Sequence, residues 1–152
     1  MTIELKKTKD GPTSLSCVRA DGTRTWARVQ PFFPAHDLTH CAVESVLGFR
    51  EAFFGLVASG WDLDDFAQPG AAAKFPAQSL WAEHIVGLVE RNLAPDVNAL
   101  NATLASIPGA VGVPRLTGDQ LADILSLRTR LLEQWHQLAP GETLRVEFPV
   151  RA

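Results

Sequence analysis

The sequence predicts an α+β fold in which an antiparallel sheet, an N-terminal hairpin plus a C-terminal strand, packs against three to four helices. Three observations predict it. Alternation of polar and apolar residues at period two is confined to the two ends of the chain. Asp21-Gly22 stands between two such runs near the start, and Asp-Gly flanked by alternating residues is a strong hairpin signal. Apolar residues at helical spacing fill the middle, punctuated by Pro and Gly. Strands, then helices, then a strand is the order of an α+β unit.

The first run is Ile3-Glu4-Leu5-Lys6. Residues Ser14 to Ala20 and Thr23 to Gln30 form the two arms of the hairpin, with Trp26 and Arg28 on one face and Ala27 and Val29 on the other. Pro31-Phe32-Phe33-Pro34 ends the sheet, because proline cannot donate to a ladder but suits the first turn of a helix. A long helix is predicted from Pro34 to Ser59, with Gly60 as the residue that closes it. Trp61 to Phe66 then reads as an exposed acidic connection, continued by the turn Gln68-Pro69-Gly70. It lacks the glycine and distal glutamate of a calcium loop.

A second helix is predicted from Ser79, as N-cap, to Leu93. Pro95-Asp96 opens a third, which Pro108-Gly109 ends. Thr117 with Gln120 resembles a capping box for a last helix running to Leu138. The tail Thr143 to Val150 sets Leu144, Val146, Phe148 and Val150 against Arg145, Glu147 and Pro149, a half-buried strand expected to return to the hairpin. No internal repeat or domain boundary is visible, and 152 residues suit one domain.

Composition narrows the function classes. Hydrophobic residues make up 46% and charged residues 20%, ordinary for a soluble globular protein. A net charge of -3 provides no broad cationic field for nucleic acid or anionic lipid. Cys17 and Cys41 are too few for a disulfide framework and read as buried apolar residues. No leader-like apolar segment and no spanning run is seen, so the expectation is a cytoplasmic protein with no membrane or nucleic-acid partner.

The chemistry-bearing pattern is His36, Asp37, His40 and Glu44. Taking His36 as zero on a helical wheel, His40 lies at about 40°, Glu44 at about 80°, Glu51 at about 60° and Asp37 at about 100°. Imidazoles at i and i+4 stand one turn apart and can chelate one ion. Apolar residues crowd the rest of this helix, so the polar arc needs partners, and a divalent transition metal is one. Two His and one carboxylate describe a zinc or non-haem iron site, zinc being the first choice. The third ligand is expected from Glu44 first and Glu83 second, with His84 more distant. Gly87, one turn after Glu83, would let another helix approach, and Glu90 shares that face. Asp37 is the expected catalytic residue, as a general base or as the acceptor that orients an imidazole.

His36-Asp37-Leu38-Thr39-His40 resembles the H-E-x-x-H helix of zinc metalloproteases, with Asp at the position of the presumed base. That resemblance implies a metal held by His36 and His40 and proton transfer at Asp37. The wider string from Pro34 through Val43-Glu44 is similar to a P-x-H-D-L-x-H-x-x-V-E signature of small uncharacterised bacterial proteins.

Two functions remain open on this reading. One is a small metal-dependent hydrolase acting on a small-molecule substrate. The other is a non-catalytic protein whose His/acid stripe is a solvated or interface face. In the second, Phe32, Phe33, Phe53, Phe54 and Trp61 could supply a homodimer or ligand surface. His136 fits a structural role near a helix C-terminus.

Overall fold

A computed structural model of the protein describes residues 1–93 and 95–150. Its architecture is α+β. Strands β1 (Thr2–Lys6), β2 (Thr13–Val18), β3 (Arg24–Val29) and β4 (Thr143–Glu147) form one antiparallel sheet in the order β3-β2-β1-β4. Asp21 and Gly22, whose φ is 84°, make the turn between β2 and β3. The returning strand β4 pairs with β1 in the register Ile3↔Val146 and Leu5↔Leu144. Even the chain start is tied down, with the Met1 amino group donating to the Phe148 carbonyl at 3.1 Å.

One face of the sheet is apolar and buried. Ile3, Leu5, Leu15, Cys17, Leu144 and Val146 meet Leu38, Cys41, Phe54, Leu131 and Trp135 from the helices. The other face is solvated: Trp26 is 58% exposed, and Glu4 there joins Arg24 and Arg145. Both faces follow from the alternation in the sequence. A second core lies among the helices, built on Val43, Phe49, Ile85, Val89, Leu100 and Ile124.

Among the described residues, five α-helices cover the inner face and build outward from it: α1 (Phe33–Leu47), α2 (Phe53–Ala58), α3 (Ala77–Glu90), α4 (Val97–Ser106) and α5 (Gly118–Gln137). The expected capping box opens α5, with Gln120 N–H donating to Thr117 Oγ1 at 3.1 Å and Thr117 N–H donating to Gln120 Oε1 at 2.9 Å. Asp96 caps α4 through Ala99 N–H at 2.8 Å.

The single helix predicted over 34–59 is two helices. Gly48 takes a φ of 67°, and Phe49 N–H turns back to the Glu44 carbonyl at 3.0 Å, a left-handed helix end. Hydrophobicity runs on through Phe49, Ala52 and Phe54 because both pieces are buried, so the periodicity concealed the break. Glu51 therefore leaves the polar arc: it is exposed, and its N–H donates to Gln78 Oε1. The second predicted helix starts earlier than Ser79. Pro76 precedes its first turn, and Ser79 lies inside the helix with its hydroxyl donating to the Glu51 carbonyl.

The acidic connection is more ordered than a solvated turn. Leu63–Ala67 and Ala71–Lys74 form two 3-10 turns. Asp62 and Asp65 cap the first reciprocally, Arg19 pairs with Asp62 at 2.9 Å, and Leu63 N–H donates to Thr25 Oγ1 of β3 at 2.9 Å. These bonds hold the segment across the edge of the sheet, beside the N-terminal half of α1. No helix among the described residues is long and apolar enough to cross a membrane.

Candidate metal centre

Pro34 sits in the first turn of α1, so the helix places His36, Asp37 and His40 in its first two turns, facing α3 and the edge of the sheet. The four-residue spacing stacks the two imidazoles, with ring centroids 4.7 Å apart and nearly perpendicular planes. Packing of α3 against α1 brings Glu83 to this pair. Its Oε1 lies 3.2 Å from His40 Nε2, and its Oε2 lies 3.9 Å from His36 Nε2.

The opposite ring nitrogens are held as well. His40 Nδ1 is 3.1 Å from Glu44 Oε1. His36 Nδ1 is 3.2 Å from both oxygens of Glu90. Each imidazole is thus gripped at Nδ1 by a carboxylate, and both Nε2 atoms turn toward Glu83. A carboxylate on Nδ1 is the kind of partner that orients the Nε2 of a metal-ligating histidine.

One ligand atom from each of His36, His40 and Glu83 lies within 4.8 Å of the others. Atoms sharing an ion at 2.0–2.2 Å stand roughly 3–3.5 Å apart, so small side-chain rotations close the set. The donor set is two imidazoles and one carboxylate, a group near enough to bind a metal ion.

Glu44, expected ahead of Glu83 as third ligand, stands elsewhere. It is fully buried, and its Oε2 accepts the Gly55 N–H of α2 at 3.1 Å while Oε1 takes His40 Nδ1. With both oxygens engaged on the far side of His40, it positions the ring. The bond to α2 needs Gly55, where a Cβ would run into the Arg50 backbone. Glu90 does the same for His36, and the sequence signal for it was only its seven-residue spacing from Glu83 on one face of α3. His84 lies outside the group. The nearest side chain to a Cβ at Gly87 would be Arg91 of the same helix, so the close helix approach expected there does not occur.

Asp37 does not orient either imidazole, since Glu44 and Glu90 occupy that role. It is 5% exposed, and its Oδ2 is buried without a hydrogen-bond partner. Burial raises its carboxyl to about 7, an effect that His40 opposes and Glu83 and Glu90 reinforce. Burial disfavours charge on His40, but its bonds to Glu44 and Glu83 outweigh this and raise it to about 10. Burial pushes Glu44 up against the pull of His40. For Glu83 the same burial effect is outweighed by His40, which leaves its carboxyl lowered.

Cys41, next to His40 in sequence, is buried beside Ser45, and burial raises its thiol to about 12. Cys17 is buried in β2 and raised equally. Neither is a ligand in this group.

A cavity of about 460 Å³ opens beside the two histidines, with His36, Asp37, His40 and Glu83 in its lining. Comparison of the chain with family models, with curated proteins and with solved structures returned no match.

Proposed function

We propose that the protein is a small metal-dependent enzyme, a hydrolase acting on a small molecule, with His36, His40 and Glu83 as ligands. One observation carries this reading: the Nδ1 atoms are both tied to carboxylates, so that both Nε2 atoms and a third carboxylate converge in the wall of a cavity. A structural ion pair would need only one such contact. The resemblance of His36-Asp37-Leu38-Thr39-His40 to the zinc metalloprotease helix supports the same choice of metal and reaction class.

A divalent ion there would supply Lewis-acid chemistry, polarising a substrate carbonyl and acidifying water. The remaining work falls to the chain's own groups. Glu44 and Glu90 keep the imidazoles aimed. Asp37, buried in the cavity wall with one oxygen unpartnered, takes a proton or donates one. A carboxyl near pH 7 suits either direction of transfer. Phe33, Phe53 and Phe66 line the cavity and give it apolar walls.

A second reading, in which the group is a non-catalytic polar network, is favoured by one observation. With His40 protonated, Glu44 and Glu83 satisfy both of its nitrogens without any ion. The unpartnered Asp37 oxygen is what this reading leaves unexplained.

The test is hydrolysis of aryl esters and anilides by zinc-reconstituted protein, beside chelator-treated protein and the Asp37→Asn and Glu83→Gln variants. The proposal expects turnover that depends on zinc and falls roughly 10²–10⁴-fold in Asp37→Asn, the usual range for loss of a general acid or base. Equal turnover in all four preparations would exclude catalysis at this site.

A further inference from the structure

The cavity beside the histidines has a composition of its own. Phe33 and Phe53 flank the imidazoles, with His36 and His40 ring centroids 6.3 and 6.0 Å from them. Phe66 continues this wall, 4.6 Å from Phe53, and Phe75 lies 5.7 Å beyond Phe66. Leu15, Ala27, Val29 and Leu63 close it from the sheet and the 3-10 turn. The His36, His40 and Glu83 side chains lie together in this lining, within 4.8 Å of one another. A volume of about 460 Å³ falls within the roughly 300–1,000 Å³ usual for small-molecule sites.

Charge narrows the occupant further. Glu44, Glu83 and Glu90 surround the two histidines, and a divalent ion balances only two of these three carboxylates. Among the described residues lining the cavity, Arg28 is the one with a permanently charged cationic side chain. It is exposed and alternates onto the outer face of the sheet, where it also borders a groove with Lys6 and Trp26. The one buried side chain there that carries a positive charge is His40, and Glu44 and Glu83 already hold both of its nitrogens, so an anionic ligand would meet an excess of carboxylates with no spare buried cation to offset them.

We infer that this site takes an uncharged substrate with an aromatic body, its single polar group placed between His36, His40 and Asp37 and its ring against Phe53 and Phe66. The inference rests on the functional reading above for the identity of the site and adds the class of molecule. Flat rings suit the walls because offset and edge-on aromatic pairs are favoured at centroid separations of about 4.5–7 Å.

The test uses two fluorescent probes with closely similar aromatic bodies: neutral N-phenyl-1-naphthylamine and anionic 1-anilinonaphthalene-8-sulfonate. Each is titrated into the full chain, both chelator-treated and zinc-loaded, with zinc content measured on the same samples. The neutral probe is expected to bind saturably, at one per chain, at least tenfold more tightly than the sulfonate in both preparations. Ala67→Trp, at an exposed position on the cavity wall, should weaken the neutral probe at least tenfold, and Phe33→Ser should do so independently. Circular dichroism confirms that each variant is folded.

Equal or tighter binding of the sulfonate would overturn the inference. So would neutral-probe binding that neither folded variant changes. Probe selectivity without any zinc uptake would leave the apolar site standing and remove the metal reading. Zinc uptake without probe selectivity would do the reverse.

Discussion

Replacing Asp37 by Asn should stabilise the metal-free protein, and by an amount that grows with pH. Asn keeps the shape of the side chain and cannot ionise. The Asp37 carboxyl is raised from 3.8 to about 7 in the folded state, chiefly by burial. A group raised on folding contributes stability that is fully present below its unfolded value and is lost as pH rises through its folded value. Here the window runs from 3.8 to about 7. At about 1.36 kcal/mol per unit, the parent loses up to about 4 kcal/mol across it relative to a neutral isostere. The advantage of Asp37→Asn should therefore rise by about 1.4 kcal/mol per pH unit between pH 5 and 7 and level off above. Urea unfolding of both chelator-treated proteins at half-unit pH intervals measures it, and other titrating groups largely cancel in the difference. A stability difference that stays flat from pH 5 to 8 would refute the reasoning, because it would mean that Asp37 is ionised in the folded protein at its ordinary value. Saturating zinc should flatten the slope, since a nearby cation favours the carboxylate.

Other predictions follow from the same geometry. Glu44→Ala should cost about 2–4 kcal/mol in chemical denaturation, because it leaves the buried Nδ1 of His40 and the Gly55 N–H without a partner, while Glu83 still holds Nε2. Gly55→Ala should cost about 1–3 kcal/mol and weaken metal affinity, since the turn at Arg50 must shift and Glu44 with it; thermal melts and a zinc titration check both. Zinc binding near pH 8 should release about one proton, because His40 is raised to about 10 and must give up a proton to bind; calorimetry in buffers of different ionisation enthalpy counts it. Away from the site, Asn101→Ala should cost about 2–3 kcal/mol in the same denaturation assay, as its amide both donates to and accepts from the Leu116 backbone in a buried position.

Features with a local cause were legible in the sequence. The Asp21-Gly22 turn, the Thr117–Gln120 capping box and the alternation of Leu144, Val146 and Phe148 each depend on residues a few positions apart. The pairing of His36 with His40 was equally readable, because a single helical turn sets it. The break at Gly48 was harder: the glycine was visible, but Phe49 to Phe54 continue the apolar pattern, and burial on both sides of a break looks the same as burial along one helix. The carboxylates were harder still. Glu44, Glu83 and Glu90 are chemically alike, and only the docking of α3 and of Gly55 against α1 decides which faces Nε2 and which grips Nδ1. That division of roles is tertiary and leaves no mark in spacing.

The central claim, a metal held by His36, His40 and Glu83, is tested most directly by elemental mass spectrometry on tag-free protein beside the His36→Ala/His40→Ala double variant. The account predicts about one transition-metal equivalent per chain in the parent, as purified or after reconstitution, and none in a folded double variant. No retained metal in the parent after reconstitution with zinc, iron, manganese and nickel, or equal retention in both proteins, would contradict it.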